Sequence, residues 1–262
     1  MTIYIGNHHG SSACPDIMGD VERLKEEAGI AACNFIKDGM KIGLGTGSTV
    51  RHTVIEIGRR ISEEGLNVVG VPTSEATREL AEEVGIPMIT LADSGGLDLV
   101  IDGADEFNSE FSLIKGGGGA LTREKIVAQS SESMIVVADD RKQVEILGEF
   151  DLPVEVLPFE WKRTRDRISL LCPGSVSLRV DSEPFVTDNG CYILDCNFGP
   201  SISDPISLEQ DLLSIAGVVE VGLFVGICDA VVLASNAYCL STTAVATALP
   251  FKKDLSASLS LS

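Results

Sequence analysis

From Asp20 onward, apolar and polar residues follow two rhythms along the chain. Residues 20–37 carry apolar positions at helical spacing, and the short apolar run KIGL follows as a strand. A glycine-rich loop then leads into a second amphipathic helix with Val50, Val54, Ile57 and Ile61 on one face. NVVGV, IPMITL, LDLVID and MIVVAD come next as nearly continuous apolar runs separated by helical or turn segments. Strands that are apolar on both sides of the pleat are those covered on both faces. The pattern therefore predicts an α/β fold with a Rossmann-like, doubly wound parallel sheet.

After Gly148 the rhythm changes. Strand PVEVL, a helix over about 160–171, strand SVSLRV, a hairpin turn at Asp188-Asn189-Gly190, strand CYILDC, a helix over 208–215 and strand VVEVGLF succeed one another. This β-α-β-β-α-β order predicts a ferredoxin-like, split βαβ α+β small domain. DAVVLAS then returns to the first sheet, which makes the small domain an insertion. The predicted organisation is a flexible leader over 1–19, a Rossmann-like domain of 20–148 plus 226–250, a small domain of 149–225 and a frayed tail of 251–262.

Composition narrows the function. The 262 residues, 44% hydrophobic, suffice for a buried core, and the formal net charge of -19 argues against general affinity for nucleic acid or anionic membranes. An anionic ligand then requires a local cationic pocket. Seven cysteines without CxxC or zinc-like spacing read as reduced thiols, and the N-terminus has no secretory pattern, so a cytoplasmic protein is expected. The uncharged stretch from Ala230 to Phe251 is broken by Ser235, Asn236, Ser241, Thr242 and Thr243, against a membrane span. His8, His9 and His52 form no HxH or ExxH set with nearby carboxylates, so no metal is expected.

Three segments carry candidate chemistry. GLGTGST lies between a strand and a helix, where glycines and the helix N-terminus suit an anion such as phosphate; a plain tight turn is the alternative. Ser48 stands where a dinucleotide fingerprint needs glycine, and no Walker lysine follows. LDLVIDGADEF places Asp102 and Asp105 just past a buried strand, where open α/β sheets bind ligands, although an acidic capping loop fits equally. KGGGGALTREKIVA has four consecutive glycines, costly to order, so something must approach that backbone closely. On the helix after it, at about 100° per residue, Glu124 falls within the apolar arc of Ala120, Leu121, Val127 and Ala128, with Arg123 and Lys125 to either side. An inward carboxylate suits a general base that returns its proton, or else a structural ion pair. Lys115 at the mouth of the glycine loop suits an oxyanion, or else water. Lys142, after another strand end, and Lys25, on the first helix, fit a phosphate or solvent.

GLGTGST, SEAT, IDGADEF, IKGGGGALTREKIVA, VVADDRKQVEILGEFDLPVEVLPFEW and TDNGCYILD, in that order, closely resemble the A-type ribose-5-phosphate isomerases over about residues 20–229. The resemblance implies cofactor-free interconversion of ribose 5-phosphate and ribulose 5-phosphate through an enediolate, in the non-oxidative pentose phosphate pathway, by a homodimer or homotetramer. It implies Glu124 as base, Lys115 as the charge-stabilising lysine, and Asp102 and Asp105 as the paired aspartates that hold hydroxyls and assist ring opening. The substrate-binding loops it implies are Thr46, Gly47, Ser48 and Thr49; Asp102, Gly103, Ala104 and Asp105; and Lys115, Gly116, Gly117 and Gly118. Lys142 matches the family's phosphate lysine and Lys25 a further one. The first 19 residues and those after Asp229 depart from the family pattern. A related sugar-phosphate deaminase or CoA-transferase-like enzyme needs a different acid–base set. A non-catalytic sugar-phosphate sensor would lack the buried base and usually carry a basic DNA-binding segment.

Overall fold

A computed structural model of the chain describes residues 2–5 and 17–235, with side chains from Val21 onward. The elements begin with β1 Thr2–Ile5, α1 Ile17–Ala32, β2 Lys41–Leu44, α2 Ser48–Glu64, β3 Val69–Pro72, α3 Glu75–Glu83, α4 Leu91–Ser94 and β4 Leu99–Gly103. They continue through β5 Glu106–Phe107, β6 Leu113–Ile114, α5 Leu121–Gln129, β7 Met134–Asp139, β8 Leu152–Val156, α6 Trp161–Ile168 and β9 Val176–Leu178. The last are β10 Val180–Asp181, β11 Glu183–Pro184, β12 Tyr192–Cys196, α7 Pro205–Leu213, β13 Val218–Val221, β14 Leu223–Phe224 and β15 Ala230–Ala234. Two compact units result, one running to Gly103 with 127–141 and the chain from Cys228, the other made of 104–126 and 142–227.

The first unit is built on a parallel sheet in the order β1-β15-β7-β4-β2-β3. Every residue of β7 is buried, as its unbroken apolar sequence requires of a strand covered on both faces. On one face Ile42, Leu44, Leu99, Ile101, Ile135 and Val137 pack with Leu24 and Ala28 of α1 and Val50, Val54 and Ile57 of α2. The opposite face brings Val127, near the end of α5, against Gly43 and Val100. A Cβ on Gly43 would lie 2.6 Å from Val127 Cγ1 and 2.7 Å from Val100 Cγ2, so only glycine fits there.

Departures from the sequence reading are local. Thr2–Ile5, read as leader, pairs with β15 as an edge strand in the register Thr2↔Val231. The first helix gives way to a 3-10 turn at Cys33–Phe35. IPMITL makes only a bridge from Met88 to Gly70, because Thr90 caps α4 immediately afterwards by accepting from Asp93 N at 3.1 Å. Residues 251–262, read as a frayed tail, lie outside the described residues, as do His8 and His9. No described helix is long and apolar enough to cross a membrane.

The second unit contains an antiparallel sheet in the order β13-β8-β12-β9, and its chain order of strands and helices is the split βαβ pattern. Leu152, Val154 and Val156 alternate along β8 into a core with Ile168 of α6, Leu194, Leu212 of α7 and Val221. This unit starts earlier in the chain than the 149–225 span read from the sequence. The short antiparallel sheet β14-β6-β5 ties 106–107 and 113–114 to 223–224, pairings too brief to leave a pattern. SVSLRV is also shorter as a strand than its letters suggest. It ends at Leu178, and a small β10–β11 hairpin follows around Ser182, whose φ is +67°.

Two expectations follow. Gly43→Ala should destabilise the first unit by about 1–3 kcal/mol through overpacking, read as a lower denaturant midpoint at unchanged m; a midpoint equal to the parent's would refute the close packing. Cys33, Cys172, Cys191 and Cys196 are buried free thiols, and burial pushes Cys33 up to about 12 and raises the other three. In a chain with Cys14, Cys228 and Cys239 changed to Ser, these four thiols should resist an aromatic disulfide reagent at about pH 8 and react fully in denaturant, because the thiolate is the nucleophile.

Candidate active site

In the first unit the sequence folds its glycine loop around a carboxylate. β4 carries Asp102, fully buried, to the carboxyl end of the sheet, and Asp102 Oδ1 accepts from Thr46 N at 3.0 Å and Gly103 N at 2.8 Å. Gly45 lets this happen: a Cβ there would lie 2.2 Å from Asp102 Oδ1. Gly47 has φ +130° and hands over to Ser48, the first residue of the 17-residue helix α2. Exposed Ser48 and Gly47 thus sit where the unpaired N–H groups and positive dipole end of a helix favour an anion. Thr46 Oγ1 joins Thr73 Oγ1 at 2.7 Å, Ser74 Oγ at 2.8 Å and Thr77 Oγ1 at 3.2 Å, and Thr77 Oγ1 donates to Gly45 O at 2.9 Å. Of this hydroxyl set, Thr46 lay in the loop singled out from the sequence and Ser74 and Thr77 in the SEAT segment of the resemblance, while Thr73 carried no signal; Ser74 also caps α3 by accepting from Thr77 N at 3.1 Å. Lys25 is half-buried on α1, 3.4 Å from Glu22. One turn further, Gly29 packs so tightly on α2 that a Cβ would lie 2.8 Å from Thr49 O.

The second unit holds the acid–base candidates. Lys115, far from being a surface lysine, is 2% exposed, and Glu124 in the first turn of α5 is 4% exposed. Lys115 Nζ lies 3.3 Å from Glu124 Oε2 and 5.4 Å from the centroid of the Phe224 ring. The lysine backbone is pinned, since Lys115 N donates to Gly222 O at 2.8 Å and Gly222 N to Pro153 O at 2.8 Å. The structural and the functional reading of Glu124 therefore converge on one partner, Lys115.

The tetraglycine run forms a turn closed by Gly119 N donating to Gly116 O at 2.9 Å, with φ of +105° at Gly116 and +78° at Gly119. The close approach that these glycines predicted comes from the chain's own side chains. Gly117 N donates to Asp105 Oδ2 at 2.7 Å, and a Cβ on Gly119 would lie 2.4 Å from the Phe185 ring. Asp105 is thus engaged with the glycine loop, whereas Asp102 serves the Thr46 loop of the other unit. Arg179, which the sequence did not mark, donates to Gly116 O at 2.8 Å and Gly117 O at 3.0 Å. Lys125 is buried too, bonded to Glu209 at 2.6 Å, Glu220 at 2.7 Å and Val221 O at 2.9 Å. Lys142 is half-buried in a 3-10 turn, its ammonium 5.9 Å from the Phe150 ring centroid.

The sequence-derived residues are thereby sorted. Lys115, Gly116, Gly117, Gly118, Glu124, Ala104, Asp105 and Lys142 belong to the second unit; Lys25, Thr46, Gly47, Ser48, Thr49, Asp102 and Gly103 belong to the first. Among the described residues no three His, Cys, Asp or Glu side chains gather as a metal site.

A family model described as ribose 5-phosphate isomerase A (phosphoriboisomerase A) matches residues 69–237. Ribose-5-phosphate isomerase A 1 of Oceanobacillus iheyensis is 48% identical over 217 residues, 82% of this chain and 96% of that protein. Ribose-5-phosphate isomerase A of Bacillus mycoides is 52% identical over 203 residues, 77% of this chain and 91% of the relative. The solved ribose 5-phosphate isomerase A of Methanocaldococcus jannaschii superposes with a TM-score of 0.77 at 41% identity, covering 81% of this chain and 94% of that one. These similarities span both units, and the chain belongs to the ribose 5-phosphate isomerase A family.

Proposed function

We propose that this chain interconverts D-ribose 5-phosphate and D-ribulose 5-phosphate with Glu124 as the proton carrier. In the open-chain aldose the Glu124 carboxylate takes the proton from carbon 2, and the electron pair of that C–H bond forms a C=C bond as the carbonyl electrons move onto oxygen 1. The enediolate is then protonated at carbon 1 by the same carboxyl while the hydroxyl proton passes from oxygen 2 to oxygen 1, leaving a ketone at carbon 2. Negative charge shifts from the carboxylate to the sugar oxygens during the first transfer. An ammonium already 3.3 Å from that carboxylate needs little movement to meet it, which is the role proposed for Lys115.

The observation that carries this reading is the buried Lys115–Glu124 pair beside a glycine loop whose Gly117 and Gly118 are exposed. Asp102 and Asp105 are proposed to hold sugar hydroxyls and assist ring opening. The Thr46–Thr49 loop, Gly103, Ala104, Gly116–Gly118, Lys142 and Lys25 are proposed as further substrate contacts, with the two lysines on the phosphate. A solved relative, 39% identical with a TM-score of 0.79, is a complex with phospho-erythronic acid. That ligand is a phosphorylated sugar acid whose planar carboxylate resembles an enediolate, so it supports the same chemistry here. We also infer a cytoplasmic homodimer or homotetramer, from the family and from the free thiols of the described residues.

The purified chain should form ketose from ribose 5-phosphate in EDTA, and Glu124→Gln should lower kcat by about 10²–10⁴-fold. Undiminished turnover in Glu124→Gln would remove it as the base, and loss of the parent's activity on chelation would point to a metal mechanism. Light scattering should give the mass of two or four chains; a monomer at assay concentrations contradicts the assembly.

A further inference from the structure

Arg179 follows β9 in the second unit, and its guanidinium is shared between two partners. One edge pairs with Asp195, through Nε at 2.9 Å from Oδ2 and through Nη2 to Oδ1. From the other edge Nη1 donates to Gly116 O at 2.8 Å and to Gly117 O at 3.0 Å, and the Phe185 ring lies 5.9 Å from Cζ. The arginine backbone is held as well, with its N donating to Ile193 O at 2.9 Å and its O accepting from Phe185 N at 3.0 Å.

Two peptide carbonyls are therefore turned toward one cation. Across a trans peptide the carbonyl and the following N–H point in opposite directions, and no described peptide is cis. With Gly116 O on Arg179, Gly117 N–H leaves on the far side of the loop, where Asp105 accepts it at 2.7 Å. With Gly117 O also on Arg179, Gly118 N–H is directed away from the arginine, at an exposed residue. Among the described residues that N–H has no hydrogen-bond acceptor. A cation bonded to an amide oxygen polarises the amide and makes its N–H a stronger donor.

We infer that Arg179 is a positioning residue for the isomerisation, holding the Gly116 and Gly117 carbonyls so that Gly118 N–H is presented to the oxygen that becomes negative in the enediolate. The inference rests on the isomerase reading above. A brace that merely kept the loop folded would lower stability without selecting the chemical step. One that aims a donor at developing charge lowers kcat more than it raises KM.

The test compares Arg179→Lys and Arg179→Met with the parent on ribose 5-phosphate, well below each protein's melting temperature, alongside amide exchange at Gly117. Lysine keeps the charge beside Asp195 but lacks the planar fork that reaches Asp195 and both carbonyls together. Both variants should lose about ten- to a hundredfold in kcat with little change in KM, and the Gly117 amide should exchange faster. Arg179→Lys with parental kcat, a loss confined to KM, or lost activity with Gly117 exchange unchanged overturns the inference. A parent without turnover sinks the isomerase reading itself, and this role with it.

Discussion

An ammonium and a carboxylate taken out of water and held 3.3 Å apart are the demand around which the second unit is organised. Desolvation costs several kcal/mol per ion and is offset only where geometry and neighbouring dipoles are fixed. Lys115 is locked by its backbone bond to Gly222, where a Cβ would lie 2.3 Å from Lys115 O. Phe224 lies 5.4 Å from the Lys115 ammonium and 5.0 Å from that of Lys125, a cation–π contact for each of two buried cations. Lys125 in turn is neutralised by Glu209 and Glu220.

The same demand explains the first turn of α5, where four consecutive side chains are tied to different parts of the unit. Thr122 donates to the buried carboxylate of Glu155, which also accepts from Thr187 at 2.6 Å and Asn189 at 3.2 Å. Arg123 donates to Asn189 Oδ1 at 2.9 Å and Asp188 O at 2.8 Å, Glu124 meets Lys115, and Lys125 meets Glu209 and Glu220. A helix turn tied at each of these side chains cannot rotate, so the direction of Glu124 is fixed, as the role proposed for it requires. Glu155 lies on the face of β8 opposite the Leu152, Val154 and Val156 core, so a strand that builds the hydrophobic interior also braces the first turn of α5.

In the first unit the controlling constraint is close approach rather than charge pairing. Gly43, Gly45 and Gly47 serve three separate purposes: packing under Val127 and Val100, contact with Asp102, and a left-handed φ before α2. The Gly45–Thr49 loop is therefore shaped by the sheet beneath it before any ligand is considered.

The sequence alone determined the order of the longer strands and helices, because apolar periodicity and glycine punctuation are local signals. It also determined the inward direction of Glu124, since a helix repeats about every 3.6 residues and its neighbours define the buried arc. The tetraglycine run announced that something approaches it, but not that Asp105, Phe185 and Arg179 do so. The edge strand at Thr2–Ile5, the β10–β11 hairpin and the β14-β6-β5 sheet were illegible for want of length. Only the tertiary structure decided that Lys115 is buried against Glu124, that Lys125 is a buried cation and that Arg179 bonds the carbonyls of the glycine loop. Arg179 stands 63 residues from Gly116, and Lys125 stands 95 from Glu220. No local pattern encodes such pairs, because they exist only once the packed sheets bring distant segments together and exclude the water that would otherwise solvate each charge.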